Sequence, residues 1–261
     1  MFPILDPIYD TFDSLSRRSP FLLQTVLAIA SKIKFHGTET LKNPDHIYEA
    51  EARRLAGHTL FRSSPDIEDV QGITLLAAYS QSCWNLLGHA IRMALSLHLN
   101  GALSRLLAGN FEDAAGQTTC PTNGPTAIAK PSALVRQART WLILVHLERE
   151  ISSGTGRASL IGPEEIYYDR QLLRHSLSLP IDRRVLANIE LVILRGEEVT
   201  SFHNIPASFT HGRSALDGFH QTVRSEDLIP GQAIHRIQNV SIEFDRWLAF
   251  WDDLYKGMNH F

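Results

Sequence analysis

The sequence predicts an all-α fold of irregular multi-helix type, and three observations carry the prediction. Ser-Pro or Asn-Pro pairs stand at three points where a helix would start, Ser19-Pro20, Asn43-Pro44 and Ser64-Pro65. Each offers a capping side chain followed by a residue whose fixed φ suits a first helical turn. After each pair, apolar residues recur at intervals of three and four, the spacing of one helical face. The longest such run closes the chain, with Ile234, Ile237, Ser241, Phe244, Leu248, Trp251 and Tyr255 in one stripe.

Taken in order, the first helix opens at Ser19-Pro20, carries Leu23, Leu27, Ala30 and Ile33 on its apolar face, and stops at Gly37. The second follows Asn43-Pro44 with Tyr48, Ala52, Leu55 and Thr59 in line. The third starts at Ser64-Pro65, where Asp66, Glu68 and Asp69 complement the free amides and the helix dipole. It places Ile67, Val70, Thr74 and Ala77 in one stripe. A break at 79–82 precedes a fourth helix with Trp84, Leu87, Ile91, Ala94 and Leu95 on its apolar face. Four helices with short joints imply an antiparallel array.

Residues 109–131 are rich in Gly, Pro, Thr and Asn and weakly periodic, so they read as a variable loop. A helix restarts after Ser132 with Leu134, Ala138, Trp141, Leu142 and Val145, and SSGTGRAS at 152–159 reads as its C-terminal turn. The segment 163–179 offers a short helix carrying Ile166, Leu173 and Leu177. Asp182 then caps a helix with Val185, Leu186, Ile189, Val192 and Ile193. No internal repeat of constant length occurs.

Composition excludes several functional classes. In 261 residues, 44% are hydrophobic, enough for a substantial core in one large domain or two closely packed ones. Lys and Arg total 25 against 28 Asp and Glu, a net charge of -3 that argues against a polyanion-binding surface. No apolar run approaches the roughly 20 residues of a membrane span. Cys83 and Cys120 are the two cysteines and cannot build a multi-thiolate zinc module. His58, His89 and His98 lack ligand spacing, and Glu148, Arg149 and Glu150 read as a solvated helix terminus. Gly154, Gly156 and Arg157 resemble an anion loop, but they follow a helix where a phosphate loop follows a strand. Trp84, Trp141 and Trp251 lie on apolar stripes and read as core.

Together, several of these segments resemble the middle regulatory domain of fungal zinc-cluster transcription factors. The segment at 82–100, SCWNLLGHAIRMALSLHLN, is similar to a signature helix of that family through Trp84, Gly88, Ala90, Arg92, Met93 and Ala94, followed by Leu97, His98 and Leu99. SPFLLQTVLAIASK, YEAEARRLAGHTLF and SPDIEDVQGITLLAAY resemble the preceding helices in the expected order. VRQARTWLILVHLEREISSGTGRAS resembles the arginine-tryptophan helix and its Gly-Arg-Pro turn through Arg139, Trp141, Gly156 and Arg157, with Ala158 in place of proline.

The resemblance implies a regulatory fold of the fungal transcription factor type over residues 1–261, read as one incomplete domain, with a nuclear location and a role in transcriptional control. It implies no enzyme, and no catalytic, metal or DNA-binding residue. Trp84, Gly88, Arg92, Met93, Ala94, Arg139, Trp141, Gly156 and Arg157 are its structural signature. Their spacing predicts that Gly88 admits a neighbouring helix, that Arg92 satisfies a carboxylate or helix end, and that Trp84 is core. No cofactor is expected in this chain, zinc belonging to an N-terminal DNA-binding module of six cysteines that the chain lacks. The implied partners are transcription machinery or regulatory proteins and, in a full-length form, a second copy. Neither independent DNA binding nor a membrane is expected. The alternative is a non-catalytic helical interaction scaffold derived from the same family.

Overall fold

The computed structural model describes residues 4–34, 45–80, 83–114, 130–203 and 230–256, and every regular element among them is helical. In chain order these are α1 (Phe12–Arg18), α2 (Pro20–Lys34), α3 (Asp45–Thr59), α4 (Ile67–Ala78), α5 (Cys83–Ser96), α6 (Ala102–Ala114), α7 (Pro131–Thr155), α8 (Pro180–His203) and α9 (Pro230–Lys256). Short 3-10 turns lie at Leu99–Gly101, Pro163–Glu165 and Arg170–Arg174. The chain divides into two compact units, Met1–Leu186 and Ala187–Phe261, with the boundary inside α8.

The first unit is assembled around α4, which packs against α2, α3, α5 and α7. The sequence predicts one buried stripe on this helix. Instead, every residue from Asp69 to Ala77 is buried, so α4 is enclosed on all sides. A helix in that position must satisfy its polar side chains inside the protein. Thr74 Oγ1 donates to the Val70 carbonyl at 2.7 Å. Gln71 Nε2 donates to the Ile4 carbonyl and to Thr140 Oγ1, both at 3.1 Å. The buried Asp69 carboxylate accepts from the Asp66 amide at 3.0 Å and pairs with Arg62.

Helix starts follow the predicted chemistry with shifts of register. Ser19 Oγ accepts from the Leu22 amide at 3.2 Å and opens α2 as expected. Helix α4 begins at Ile67 with Asp66 as its cap, two residues beyond the Ser64-Pro65 pair, because Asp66 is the residue to which Asp69 can reach back. Helix α1, which has no proline signal, is capped by Thr11 Oγ1 accepting from the Ser14 amide at 3.3 Å.

The apolar face predicted for α2 is rotated from the one the fold buries. Phe21, Leu22, Thr25, Ala28 and Ser31 are buried, whereas Ala30 is exposed and Ile33 is 56% exposed. Beyond Phe21 and Leu22 the buried face carries the small side chains of Thr25, Ala28 and Ser31, α3 and α4 both pack on this helix, and Thr25 Oγ1 donates to the Phe21 carbonyl at 3.0 Å. On α3 the predicted Ala52 and Thr59 are buried. Helix α6 runs to Ala114 where the sequence reads a loop from Gly109, and 115–129 lie outside the described residues. The expected short helix at 163–179 is replaced by two 3-10 turns. Ile161 and Leu172 are the buried anchors there, while Leu177 is exposed.

In the second unit, Ile189 and Val192 of α8 are buried, and Trp251 of α9 is 2% exposed with its Nε1 donating to Glu190 Oε2 at 2.8 Å. The ring of Phe250 meets Trp251 edge-on at 5.2 Å. The predicted stripe of α9 is helical, yet Ser241, Phe244, Leu248 and Tyr255 on it are exposed. The side chains of Ile234 and Ile237 lie outside the described residues.

Among the glycines placed in helices, the tightest approach is at Gly72, where an added Cβ would stand 2.5 Å from Phe21 Cε1. Gly88 differs, since a Cβ there would meet Leu160 Cδ1 at 3.7 Å and Arg92 Nη2 at 3.9 Å, ordinary contacts. Gly72→Ala is therefore expected to lose about 1–3 kcal/mol by overpacking. Gly88→Ala is expected to be neutral or to gain up to about 1 kcal/mol of helix propensity. Urea unfolding of the two variants beside the parent checks both.

Candidate functional site

The two signature segments meet in space although their sequences are far apart. On α5, Leu87, Ile91 and Ala94 of the predicted stripe are buried, and so are Ala90 and Met93 of the family-like segment. Trp84 is only half-buried, because its indole lies at the edge of the array, where the Arg157 guanidinium sits 5.1 Å from its ring centroid. The neighbour of Gly88 is Leu160 in the turn after α7, not a helix. Arg92 is exposed and, among the described residues, makes no hydrogen bond or ion pair, so the expected carboxylate or helix-end partner is not found.

Arg157 reaches Trp84 because α7 ends at Gly156, whose φ of 65° is the left-handed conformation that glycine adopts without strain. The Arg157 amide closes this turn on the Ser152 carbonyl at 3.0 Å. Glu148 holds the outgoing chain. Its carboxylate accepts from Ser152 Oγ at 2.7 Å, Ser159 Oγ at 2.8 Å and the Leu160 amide at 2.7 Å. The sequence reads Glu148 as a solvated terminus. The structure corrects this, with Glu148 fully buried and bonded by Ser152 of its own helix and by Ser159 and Leu160 of the loop that follows. The hydroxyls at Ser152 and Ser159 were the available signal, but only the turn brings them to one carboxylate.

Further along the same helix, Arg139 is 2% exposed and forks onto Asp182, which is 1% exposed, through bonds of 2.6 Å from Nε and 2.9 Å from Nη2. Asp6 adds a third charge, 3.5 Å from Arg139 Nη1. Burial opposes the charge on Arg139, yet the bonds and charge of Asp182, with Asp6, outweigh it and hold its pKa above the ordinary value. Asp182 also accepts from the Leu179 amide at 2.8 Å and so caps α8 from inside its first turn. Trp141 is 1% exposed one position past Thr140.

A second charged network fastens the segment before α1. The fully buried Asp10 carboxylate pairs with Arg18 and with Arg136 Nη2 at 3.2 Å. Arg136 also bonds Glu68 at 3.1 Å and Gln71 at 2.7 Å, and Tyr9 lies beneath the guanidinium groups of both arginines. Nothing in the local pattern of residues 4–10 identifies it, since its partners come from α1, α4 and α7.

A cavity of about 280 Å³ opens between α2, α3, α4 and α5. Ala28, Ile29, Ala56, Leu60, Ile73 and Leu76 give it a mostly apolar wall, and Gly57 lines it on α3. Lys32, Glu49, Arg53 and His89 also line it, together with Tyr79. Arg53 bonds Glu49 at 2.8 and 3.0 Å and Ser80 Oγ at 3.1 Å, while Lys32 Nζ donates to the Tyr79 carbonyl at 3.1 Å. Both cations thereby meet the carbonyl end of α4, where the helix dipole favours positive charge.

His89 faces Thr59. The Thr59 hydroxyl proton goes to the Ala56 carbonyl at 2.7 Å, so its oxygen accepts from His89 Nε2 at 2.9 Å and selects the Nε2–H tautomer. Burial, then the Arg92 charge, hold the His89 pKa below the usual value, against a smaller opposing effect of Asp69.

Among the described residues no group of three or more His, Cys, Asp or Glu is placed to hold a metal ion, and no helix is long and apolar enough to cross a membrane. Cys83 is half-buried with a free thiol, and Cys120 lies outside the described residues. His58 is exposed beside Arg54, away from His89 in chemistry as in sequence.

Residues 1–182 match the family described as the fungal specific transcription factor domain. The chain is also similar to the transcriptional activator of proteases prtT of Emericella nidulans, with 23% identity over 246 residues, 94% of this chain and 31% of that protein. It thus spans about a third of the length of the curated relative it matches. No solved structure matches it.

The buried charges make two sharp expectations. Asp182→Ala leaves Arg139 uncompensated and is expected to cost about 3–5 kcal/mol, much of it recovered in the Arg139→Met, Asp182→Leu pair, with chemical denaturation of the single and double variants as the measurement. His89 titrates below its unfolded value of 6.5. As pH falls past 6.5 the unfolded chain takes up a proton that folded His89 refuses, so its contribution is full above that pH and is lost as pH drops through the folded pKa. The urea midpoint of the parent should decline over this window more steeply than that of His89→Gln, which keeps a donor for Thr59 and does not titrate.

Proposed function

The chain belongs to the fungal-specific transcription factor domain family, and from that premise we propose that it is the regulatory body of a zinc-cluster transcription factor acting in the nucleus. In this reading DNA recognition comes from a zinc-bearing module outside these 261 residues. The carrying observation is the family match over residues 1–182 in a chain whose two cysteines cannot form a six-cysteine zinc cluster. The family is one of transcription factors and the chain is not an enzyme.

The charge balance supports the same division of labour. A net charge of -3 gives no electrostatic footprint for phosphate, whereas independent DNA readers carry a basic face. The buried carboxylates Asp10, Glu148 and Asp182 are engaged with arginines, hydroxyls or amides. They hold helices and turns in place, the work of a body that presents surfaces to other proteins. Its partners in this reading are the transcription machinery or regulatory proteins, and a second copy in the full-length form. The Emericella nidulans relative is a transcriptional activator of proteases, and this chain would supply the corresponding third of such a protein.

Tethering tests the reading. Fused to an unrelated DNA-binding domain, the chain is expected to change transcription of a reporter severalfold, and Asp182→Ala in the fusion to abolish the change. A folded but inert fusion would instead favour the interaction scaffold. Purified residues 1–261 are expected to hold no stoichiometric zinc and to bind no duplex sequence-specifically. Discrimination between duplexes above roughly 10³ by this chain alone would overturn the division.

A further inference from the structure

The cavity between α2, α3, α4 and α5 is a site that the regulatory reading leaves unassigned. Its apolar wall comes from all four helices, which are the elements that the first unit is assembled from. A pocket with a greasy interior and a few polar groups is the usual form of a small-ligand site. Its volume of about 280 Å³ sets the size of the occupant. A cavity near 150 Å³ accepts benzene, so this one accommodates an apolar body of about ten non-hydrogen atoms.

The charge of the occupant follows from the lining. Glu49 is neutralised by Arg53 through two bonds. Lys32 has a backbone carbonyl as its acceptor and, among the described residues, forms no ion pair. An ammonium has three donors, so Lys32 keeps two for an anion beside the apolar wall. The neutral His89 ring donates through Nε2 to Thr59 and presents Nδ1 as an acceptor, so it adds no second charge. The net lining charge is positive by one.

We propose that this cavity binds a small amphipathic carboxylate, its chain among Ala28, Ala56, Ile73 and Leu76 and its carboxylate on Lys32. The site deepens the regulatory reading and rests on it for its consequence in transcription. The binding itself is a property of the chain and is measured without a reporter. Occupation would tie α2 and α3 to α4 and stabilise the folded array by mass action.

Octanoate, with ten non-hydrogen atoms, is the probe, and 1-octanol and octylammonium are the matched neutral and cationic controls. Calorimetric titration and thermal unfolding of the 261-residue chain are expected to show octanoate binding at least about tenfold tighter than either control, the strength of one charge-assisted hydrogen bond. Lys32→Met should lower octanoate affinity about tenfold, to the level of 1-octanol, and leave 1-octanol unchanged. Gly57→Leu offers a second arm. Gly57 lines the cavity, a Cβ there meets no atom within 4 Å, and replacing a helical glycine favours folding. This variant should unfold no earlier than the parent and lose the octanoate response. Equal affinity for octanoate and 1-octanol, or undiminished octanoate binding in both variants, would overturn the assignment. An inert reporter fusion whose purified chain still binds octanoate would remove the regulatory reading and leave the site.

Discussion

The first unit depends on one buried ion pair. Arg139 stands in the middle of α7 and Asp182 in the first turn of α8, and the fork between them closes 43 residues of chain that include two 3-10 turns and the left-handed corner at Gly156. Such a pair contributes little net stability, because desolvating two charges offsets most of their attraction. Its value lies in direction. A bidentate guanidinium accepts a carboxylate in one geometry, and an uncompensated charge at that depth would cost several kcal/mol, so alternative placements of the α8 start are excluded.

The same logic recurs at smaller scale wherever an irregular segment meets a helix. Glu148 gathers two serine hydroxyls and an amide, and thereby sets the path that carries Arg157 over Trp84. Asp10 gathers Arg18 and Arg136 and pins the segment before α1 against α4 and α7. Gln71, inside the enclosed α4, spends its amide on that segment and on Thr140. The apolar helices supply the bulk of the burial, and buried polar groups decide which surfaces meet.

Close packing is decided as locally as polarity. The resemblance to the family draws attention to Gly88, yet the helical glycine that leaves no room for a side chain is Gly72, against the buried ring of Phe21. Both glycines lie in helices and their sequence surroundings are alike in apolar content. The difference is that α4 is covered on every side, whereas Gly88 faces a turn that leaves room for a methyl group. An opening of the opposite kind, at Gly57, leaves space on α3 beside the cavity.

The sequence by itself determined the class and most of the helices, because capping residues and a three-to-four spacing are local properties of a chain. Ser19, Asp182, Gly156 and, on the α5 stripe, Leu87, Ile91 and Ala94 behaved as their chemistry required. The family assignment too is a match of sequence, over residues 1–182. Which face of each helix is buried was decided by the tertiary structure. The predicted face of α2 is the wrong one because Thr25 and Ser31 satisfy a requirement for small size set by α3 and α4, and four of the five described residues of the α9 stripe are exposed. Glu148 reads as a surface acid until the turn after α7 adds two donors to the one Ser152 supplies from the helix. Arg139 and Asp182, Lys32 and Tyr79, and His89 and Thr59 are pairs between residues 30 to 47 positions apart. Periodicity reports the conformation of a segment, whereas burial and charge pairing belong to the neighbours that segment acquires.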